Sequence, residues 1–401
     1  MKTILICALV ALCACSHSTE RSLTVAVNAG VEGTTLKLAA REWGAARGVR
    51  VEVVELPYSN LFEKEELDLT SRSGAYDVIM MDDPWFPLMS QNSNLAVLPH
   101  APDADFLPSC VQVCRTGASY FALPYVGNAQ LFFYRQDLFA KYGIAPPKTW
   151  DDVLASAKTI GEREKMFGYV MRAAPGNAVV ADFMPLLWAF GGDVLKDDGT
   201  AACDSPAAVD ALRFMLQLGK FAPPGYAGFN ADEVSAHLLQ STAVMSINWP
   251  AWIGAMDDPS KSKVVGKIGF TTMPGERQSG VGELGAWLIA VPAASHNTRD
   301  AFDFLFWSTD AAQMEKAALR GNPPTRRSAF GSAELASKYR SIPAQLASLE
   351  SARPRPRTPQ WNEIENVFGI YLSKANAGSM DPAEAMRRAA DDINRMPKRS
   401  R

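Results

Sequence analysis

LTVAVNAGVEGTTLKLAAREWGAARGVRVEVVEL, Leu23 to Leu56, changes its hydrophobic period twice within 34 residues. Leu23 to Val27 is a compact run of strand formers. Leu36, Ala39, Ala40 and Trp43 then recur at helical spacing, and Val49, Val51 and Val53 alternate as one face of a strand does. Working outward, a helical stretch around Leu61 to Thr70 precedes another strand, Val78 to Met81. Strand, helix, strand, helix, strand is the pattern of a parallel sheet covered by helices, and such sheets bind ligands at the carboxyl ends of their strands.

The middle and end of the chain continue in the same style. Thr149 is placed to cap a helix through Trp150, Val153, Leu154 and Ala157, with Asp152 in its first turn. Ser205-Pro206 and Asp381-Pro382 are cap-then-proline starts, the second leading to a helix that ends near Met396. Asp197-Asp198-Gly199 reads as a turn. Ala243 to Ile247, Ile268 to Thr271 and Ala286 to Val291 read as strands. The segment Arg353-Pro354-Arg355-Pro356-Arg357 has no helical pattern and reads as an extended connector.

With 401 residues, 47% of them hydrophobic, the chain is long enough for two cores. Forty basic against 43 acidic side chains give a net charge of -3, so no nucleic-acid footprint and no basic membrane-binding face is expected. A neutral solute is the expected partner. Lys2, the apolar run Ile4 to Leu12 and then Leu12-Cys13-Ala14-Cys15 form an export signal, the run being too short to span a membrane. LCAC resembles a bacterial lipobox, which makes Cys15 the lipidated first residue of the mature protein. The alternative is ordinary cleavage and a free periplasmic protein. Of the remaining cysteines, Cys110 and Cys114 lie four apart and form the candidate disulfide if their Cβ atoms face each other, whereas a bridge with Cys203 requires a contact that sequence does not show. No metal site and no cofactor is expected, since neither cysteine nor histidine pairs have ligand spacing.

The order of segments resembles the extracellular solute-binding proteins of ABC sugar importers, the family of maltose-binding and related proteins. The phrases that carry the resemblance are YDVIMMDDPWFPLMSQNSNLAVL from Tyr76, ALPYVGNAQLFFYRQDLFAKYGIAPPKTWDDV from Ala122 and FGGDVLKDDGTAACDSPAAVDAL from Phe190. AVMSINWP from Ala243, GAWLIAV from Gly285 and GNPPTRRSAF from Gly321 complete them. In place of the family's frequent Asn-Lys pair, Tyr134 is followed by Arg135 and Gln136. The resemblance implies a periplasmic-binding-protein-like α/β fold of type II, two discontinuous lobes with a ligand cleft between them. It places the signal at residues 1–15, one lobe at 22–126 and 284–328, and the other at 130–280 and 332–397. Crossings are expected near Val126 to Leu131, near Gly280 to Gly285 and after Pro324. It also implies a monomer delivering a carbohydrate to transmembrane permease subunits at the outer face of the cell membrane.

A sugar offers apolar C–H faces and a rim of hydroxyls, so its pocket needs aromatic platforms and fixed polar groups. Asp82, Asp83 and Trp85 follow one strand, and Asn248, Trp249 and Trp252 follow another, where a doubly wound sheet puts its ligand. One of the two aspartates could instead cap a helix, and Trp249 could be a core residue. Tyr125 and Asn128 stand at the first crossing. Glu283 and Trp287 match the place where the family supplies an acceptor and a stacking ring. Arg326, or Arg320, could fork onto neighbouring hydroxyls, although Arg326 and Arg327 together also read as solvated surface charge. Trp361, after the connector, and Trp188 complete the candidates, while Trp43, Trp150 and Trp307 read as core.

Two other readings compete. One is a lipoprotein for a non-sugar solute such as a polyamine or peptide, since aromatic and acidic residues also suit cations. The other is a carbohydrate-active enzyme, for which a glycosidase would need two facing carboxylates. Against it, the chain has no G-x-S-x-G elbow, and its S-x-x-K string at Ser260 to Lys263 lies in a polar loop.

Overall fold

A computed structural model describes residues 21–397. Cys15 and the expected signal lie outside the described residues. Strands Ser22–Asn28 and Arg50–Leu56 pair in parallel over seven residues, and Val25 bridges Val78 in the same sense. The helix Val31–Arg47 between them buries Leu36, Ala39, Ala40 and Trp43 and stops at Gly48, whose φ of 63° makes the left-handed turn that glycine enters without strain.

The expected parallel sheet is completed in the opposite sense. Strand Trp287–Ala290 returns from 200 residues later and lies antiparallel to both Ile79–Asp82 and Ala122–Val126. A returning segment can enter a sheet in either direction, and period alone does not fix that choice. Around this sheet one core gathers Leu23 to Ala129 and Leu284 to Met314, with Leu349 added.

A second sheet is wholly antiparallel about Leu131–Arg135, flanked by Met245–Asn248 and Ile268–Thr271. Its central strand is apolar on both faces. Phe132 and Tyr134 enter one core, Leu131 and Phe133 another, as strand alternation requires. The helices expected from their caps are present here: Thr149 and Asp152 form a capping box on Trp150–Glu164, Ser205 caps Pro206–Gly219, and Asp381 caps Pro382–Arg395. Trp43 and Trp150 are fully buried.

Three segments connect the cores, and they are tied to one another. Asn128 O accepts from Gly285 N at 2.8 Å, and Glu283 O from Gln130 N at 3.0 Å. Glu283–Leu284 pairs in parallel with Arg353–Pro354. Tyr339 and Ala344 pack on the core beside the second sheet, Leu349 packs in the first core and Trp361 opens a helix of the second, so the chain touches both halves between 339 and 361 and completes its third passage at the proline-arginine connector.

Cys110, Cys114 and Cys203 are all free and buried, which corrects the expected bridge. Cys110 and Cys114 sit on successive helical turns, where the side chain of the later residue points back along the backbone; the Cys114 thiol donates to Cys110 O at 3.3 Å. Among the described residues no helix is long and apolar enough to cross a membrane.

Candidate binding cleft

Between the two cores lies a cleft of about 550 Å³, within the usual size of small-solute sites. Strand ends supply much of its lining: Asn28 ends one strand, Asp82 another, Trp287 begins a third and Trp249 follows a fourth. Helix starts supply the rest. Tyr58 and Asn177 open the helices Tyr58–Ser71 and Asn177–Ala189, and Asn230 caps Ala231–Leu239. Both kinds of terminus turn backbone and side-chain polar groups toward the space beyond the sheet.

On the side of the first core the aromatics form one cluster. Trp85 lies 4.7 Å from Tyr58, 5.3 Å from Phe62 and 5.7 Å from Trp287, centroid to centroid, at tilted or edge-on angles. Across the cleft Trp249 is half-buried and belongs to none of the apolar cores. Its backbone N–H donates to Asn248 Oδ1, and Asn248 Nδ2 donates to Ser235 Oγ. The Arg172 guanidinium stands 5.5 Å from its ring centroid, and Asp182 holds that arginine through Nε at 2.6 Å and the backbone N–H at 2.7 Å. The ring is thus supported by a charge that is itself fixed. Two further lining groups, Asn28 Oδ1 and Asn128 Oδ1, are buried acceptors with no hydrogen-bond partner in the protein.

The floor of the cleft is electrostatic. Arg355, 2% exposed, directs Nη2 to both oxygens of Asp82 at 3.0 Å, and the same aspartate accepts from Tyr58 Oη at 2.9 Å and from Asp83 N. Asp83, Glu283 and Glu365 stand 3.6, 3.4 and 3.9 Å from the guanidinium. Arg357 adds a second cation 3.4 Å from Asp83. Four buried carboxylates therefore face two guanidiniums. Burial pushes Asp83 up to about 7 and Glu283 up to about 8, against the opposing pull of Arg355. Neither oxygen of Glu283 accepts a hydrogen bond, which leaves its charged form poorly supported.

A pH dependence follows with a definite sign. Glu283 holds its proton in the folded protein far above the range where it loses it when unfolded, so the native state binds more protons in the interval between. Stability then falls as pH rises from about 4.5 to about 8 and is level beyond. Glu283→Gln removes this contribution. Melting curves should show the variant gaining on the wild type between pH 5 and pH 8, with a constant gap above; parallel curves throughout would show that Glu283 does not titrate in that window.

Of the residues expected at the site, Asp82, Trp85, Asn128, Trp249 and Trp287 line the cleft together. The others are elsewhere. Asp83 lies beneath it, accepting from Ala286 N and thereby joining two strand ends. Glu283 is fully buried beside Arg355, Tyr125 is core, and Asn248 supports Trp249 from behind. Trp252 packs on the smaller core beside the second sheet. Trp361 and Trp188 are buried in the second core, with Arg353 over the Trp188 ring at 4.9 Å. Arg326 is committed to Asp103, to Thr309 O and to the face of Phe106, which leaves it no fork for a solute. Sequence reasoning missed Arg355, Glu365, Arg172, Tyr58 and the asparagines at helix starts. The three arginines spaced by prolines read only as an extended connector, and nothing local separates the buried Arg355 from its more exposed neighbours Arg353 and Arg357.

The family described as bacterial extracellular solute-binding protein matches residues 28–315. A probable amino-acid ABC transporter periplasmic-binding protein of Sinorhizobium fredii is 28% identical over 368 residues, covering 88% of this chain and 83% of that protein. An ABC transporter solute-binding protein of Agrobacterium radiobacter K84, solved in complex with ribitol, superposes with a TM-score of 0.87 at 26% identity, covering 93% of this chain and 98% of that one. Maltose-bound MalE3 of T. maritima superposes at 0.86 with 27% identity and the same coverage.

Proposed function

From a chain that belongs to the bacterial extracellular solute-binding proteins, and has their two-lobed fold, we propose that its cleft captures a neutral carbohydrate, a sugar or polyol, for delivery to the permease of an ABC importer. Members of this family bind their solutes without transforming them and work at the periplasmic or extracellular side of the membrane. The observation that carries the solute class is that Trp249, Trp85 and Trp287 line the cleft together with the unpartnered amide acceptors of Asn28 and Asn128. Indole faces suit C–H surfaces, and amide oxygens accept from hydroxyls. The ribitol and maltose of the two similar structures are solutes of this chemistry.

The name of the Sinorhizobium relative raises an amino acid as a second reading. An α-carboxylate needs a free cation in the cleft. Arg172 is held by Asp182 and Arg355 by four carboxylates, so the site favours a neutral solute over a zwitterion.

A thermal-shift screen of sugars, polyols, polyamines, amino acids and peptides tests this. A binding sugar or polyol at a hundredfold excess over its dissociation constant should stabilise the protein by about 2.7 kcal/mol. Shifts with an amino acid or polyamine and none with any sugar or polyol would reject the proposal. The lipid anchor at Cys15 belongs to the same reading. Cys15→Ser should release the mature protein from membranes, and a variant that still partitions with them and carries fatty-acid label would rule that anchor out.

A further inference from the structure

We propose that Gly285 is a positioning residue for the solute platform: the bare Cα at this crossing sets where the Trp249 ring stands in the cleft. The inference rests on reading the cleft as the binding site. A Cβ at Gly285 would lie 2.7 Å from Trp249 Cη2, 2.8 Å from Cζ3 and 3.5 Å from Cζ2. Those atoms are the far edge of the indole, so the ring reaches across from the second sheet and rests on the backbone of the crossing. Gly285 is not among the glycines with positive φ, so no left-handed backbone turn demands glycine here. What excludes a side chain here is the ring.

Neither partner can step aside freely. Gly285 N donates to Asn128 O at 2.8 Å. Next to it, Ala286 N donates to Asp83 Oδ2 at 3.1 Å and Ala286 O accepts from Asp83 N at 2.9 Å. Leu284 and Ala286 are both fully buried, so the crossing is pinned on either side of the glycine. The indole is bound in its turn by the Arg172 guanidinium and by the Asn248 cap on its backbone. A methyl group at 285 must therefore displace the ring from its seat, and a stacking surface moved by a fraction of a ring width no longer meets the solute as before.

The test is a double-mutant cycle of Gly285→Ala and Trp249→Phe, since phenylalanine lacks the outer atoms that the methyl would meet. Dissociation constants are measured calorimetrically with maltose and with ribitol, and melting temperatures without solute. Gly285→Ala should weaken binding about tenfold or more with Trp249 present and less than about threefold in the Trp249→Phe background, a non-additivity expected of residues in contact. The ligand-free melting temperature should follow the same pattern, with a clear fall in the tryptophan background and a small one in the phenylalanine background. Equal losses in both backgrounds would overturn the inference, because a purely local role of Gly285 takes no account of the ring. If neither probe binds the wild type, the carbohydrate reading fails for them while the melting cycle still decides the contact. If Gly285→Ala does not fold, a folded double variant supports the inference and an unfolded one overturns it.

Discussion

Arg355→Met should lower the stability of the solute-free protein by about 3–5 kcal/mol, the usual cost of removing one partner from a buried ionic cluster. Methionine fills much of the volume of the arginine stem, so the effect reads the charge more than a cavity. Asp82, Asp83, Glu283 and Glu365 would be left facing only Arg357, which itself reaches Asp83 alone among them. The loss should depend on pH in a known direction. Without the guanidinium the carboxyls hold their protons more strongly, so the deficit is smaller at pH 5, where protonation relieves the repulsion, than at pH 8. Urea denaturation of both proteins at the two pH values measures this. A deficit under about 1 kcal/mol at pH 8 would mean that the cluster does not depend on its central cation.

Trp249→Ala should weaken solute binding roughly tenfold to a hundredfold, from about 1 to 3 kcal/mol of lost burial and ring contact. The same change should lower the ligand-free melting temperature much less than the loss of a core tryptophan does, because Trp249 is half-buried and lies outside the apolar cores. Trp150, fully buried against Phe132 and Phe214, provides the contrast: its truncation should cost about 3–5 kcal/mol of folding stability. Calorimetric titration beside melting curves separates the two cases. Unchanged affinity with a collapsed melting point would make Trp249 a structural residue and leave the cleft without its platform.

The two variants also mark how far the sequence could be read. Period changes revealed the strands and helices, the rule that ligands gather beyond strand ends brought out Asp82, Trp85 and Trp249, and the family resemblance brought out Trp287, all of which line the cleft. Strand direction was less accessible, because Trp287–Ala290 joins the first sheet from far along the chain and its alternation is the same in either sense. Tryptophans gave a mixed return for a physical reason. Trp188 and Trp361 have helical neighbours whose apolar faces enclose them, whereas Trp249 follows a strand and precedes Pro250, at a point where the chain has left its layer. Asn177 and Asn230 resemble ordinary turn and cap residues, and nothing local marks their cleft-facing position. Arg355 was hidden most completely. Its surroundings come from strand ends, a crossing and a helix that are far apart in sequence, so its burial emerges only when the third passage is folded against the other two.

That third passage constrains how the two halves can move. Asn128 is bonded to Gly285, Glu283 to Gln130, and Arg353 N donates to Gly282 O at 3.0 Å. The connecting segments therefore form a laced ribbon rather than three independent threads. A laced ribbon bends readily about one axis and resists swivel and shear, since both would break cross-links that simple flexing keeps. For two halves joined in this way, opening and shutting would be nearly a one-dimensional motion, with each half meeting the other along the same track. Any outside surface that must recognise the shut form then has a single reproducible outline to fit.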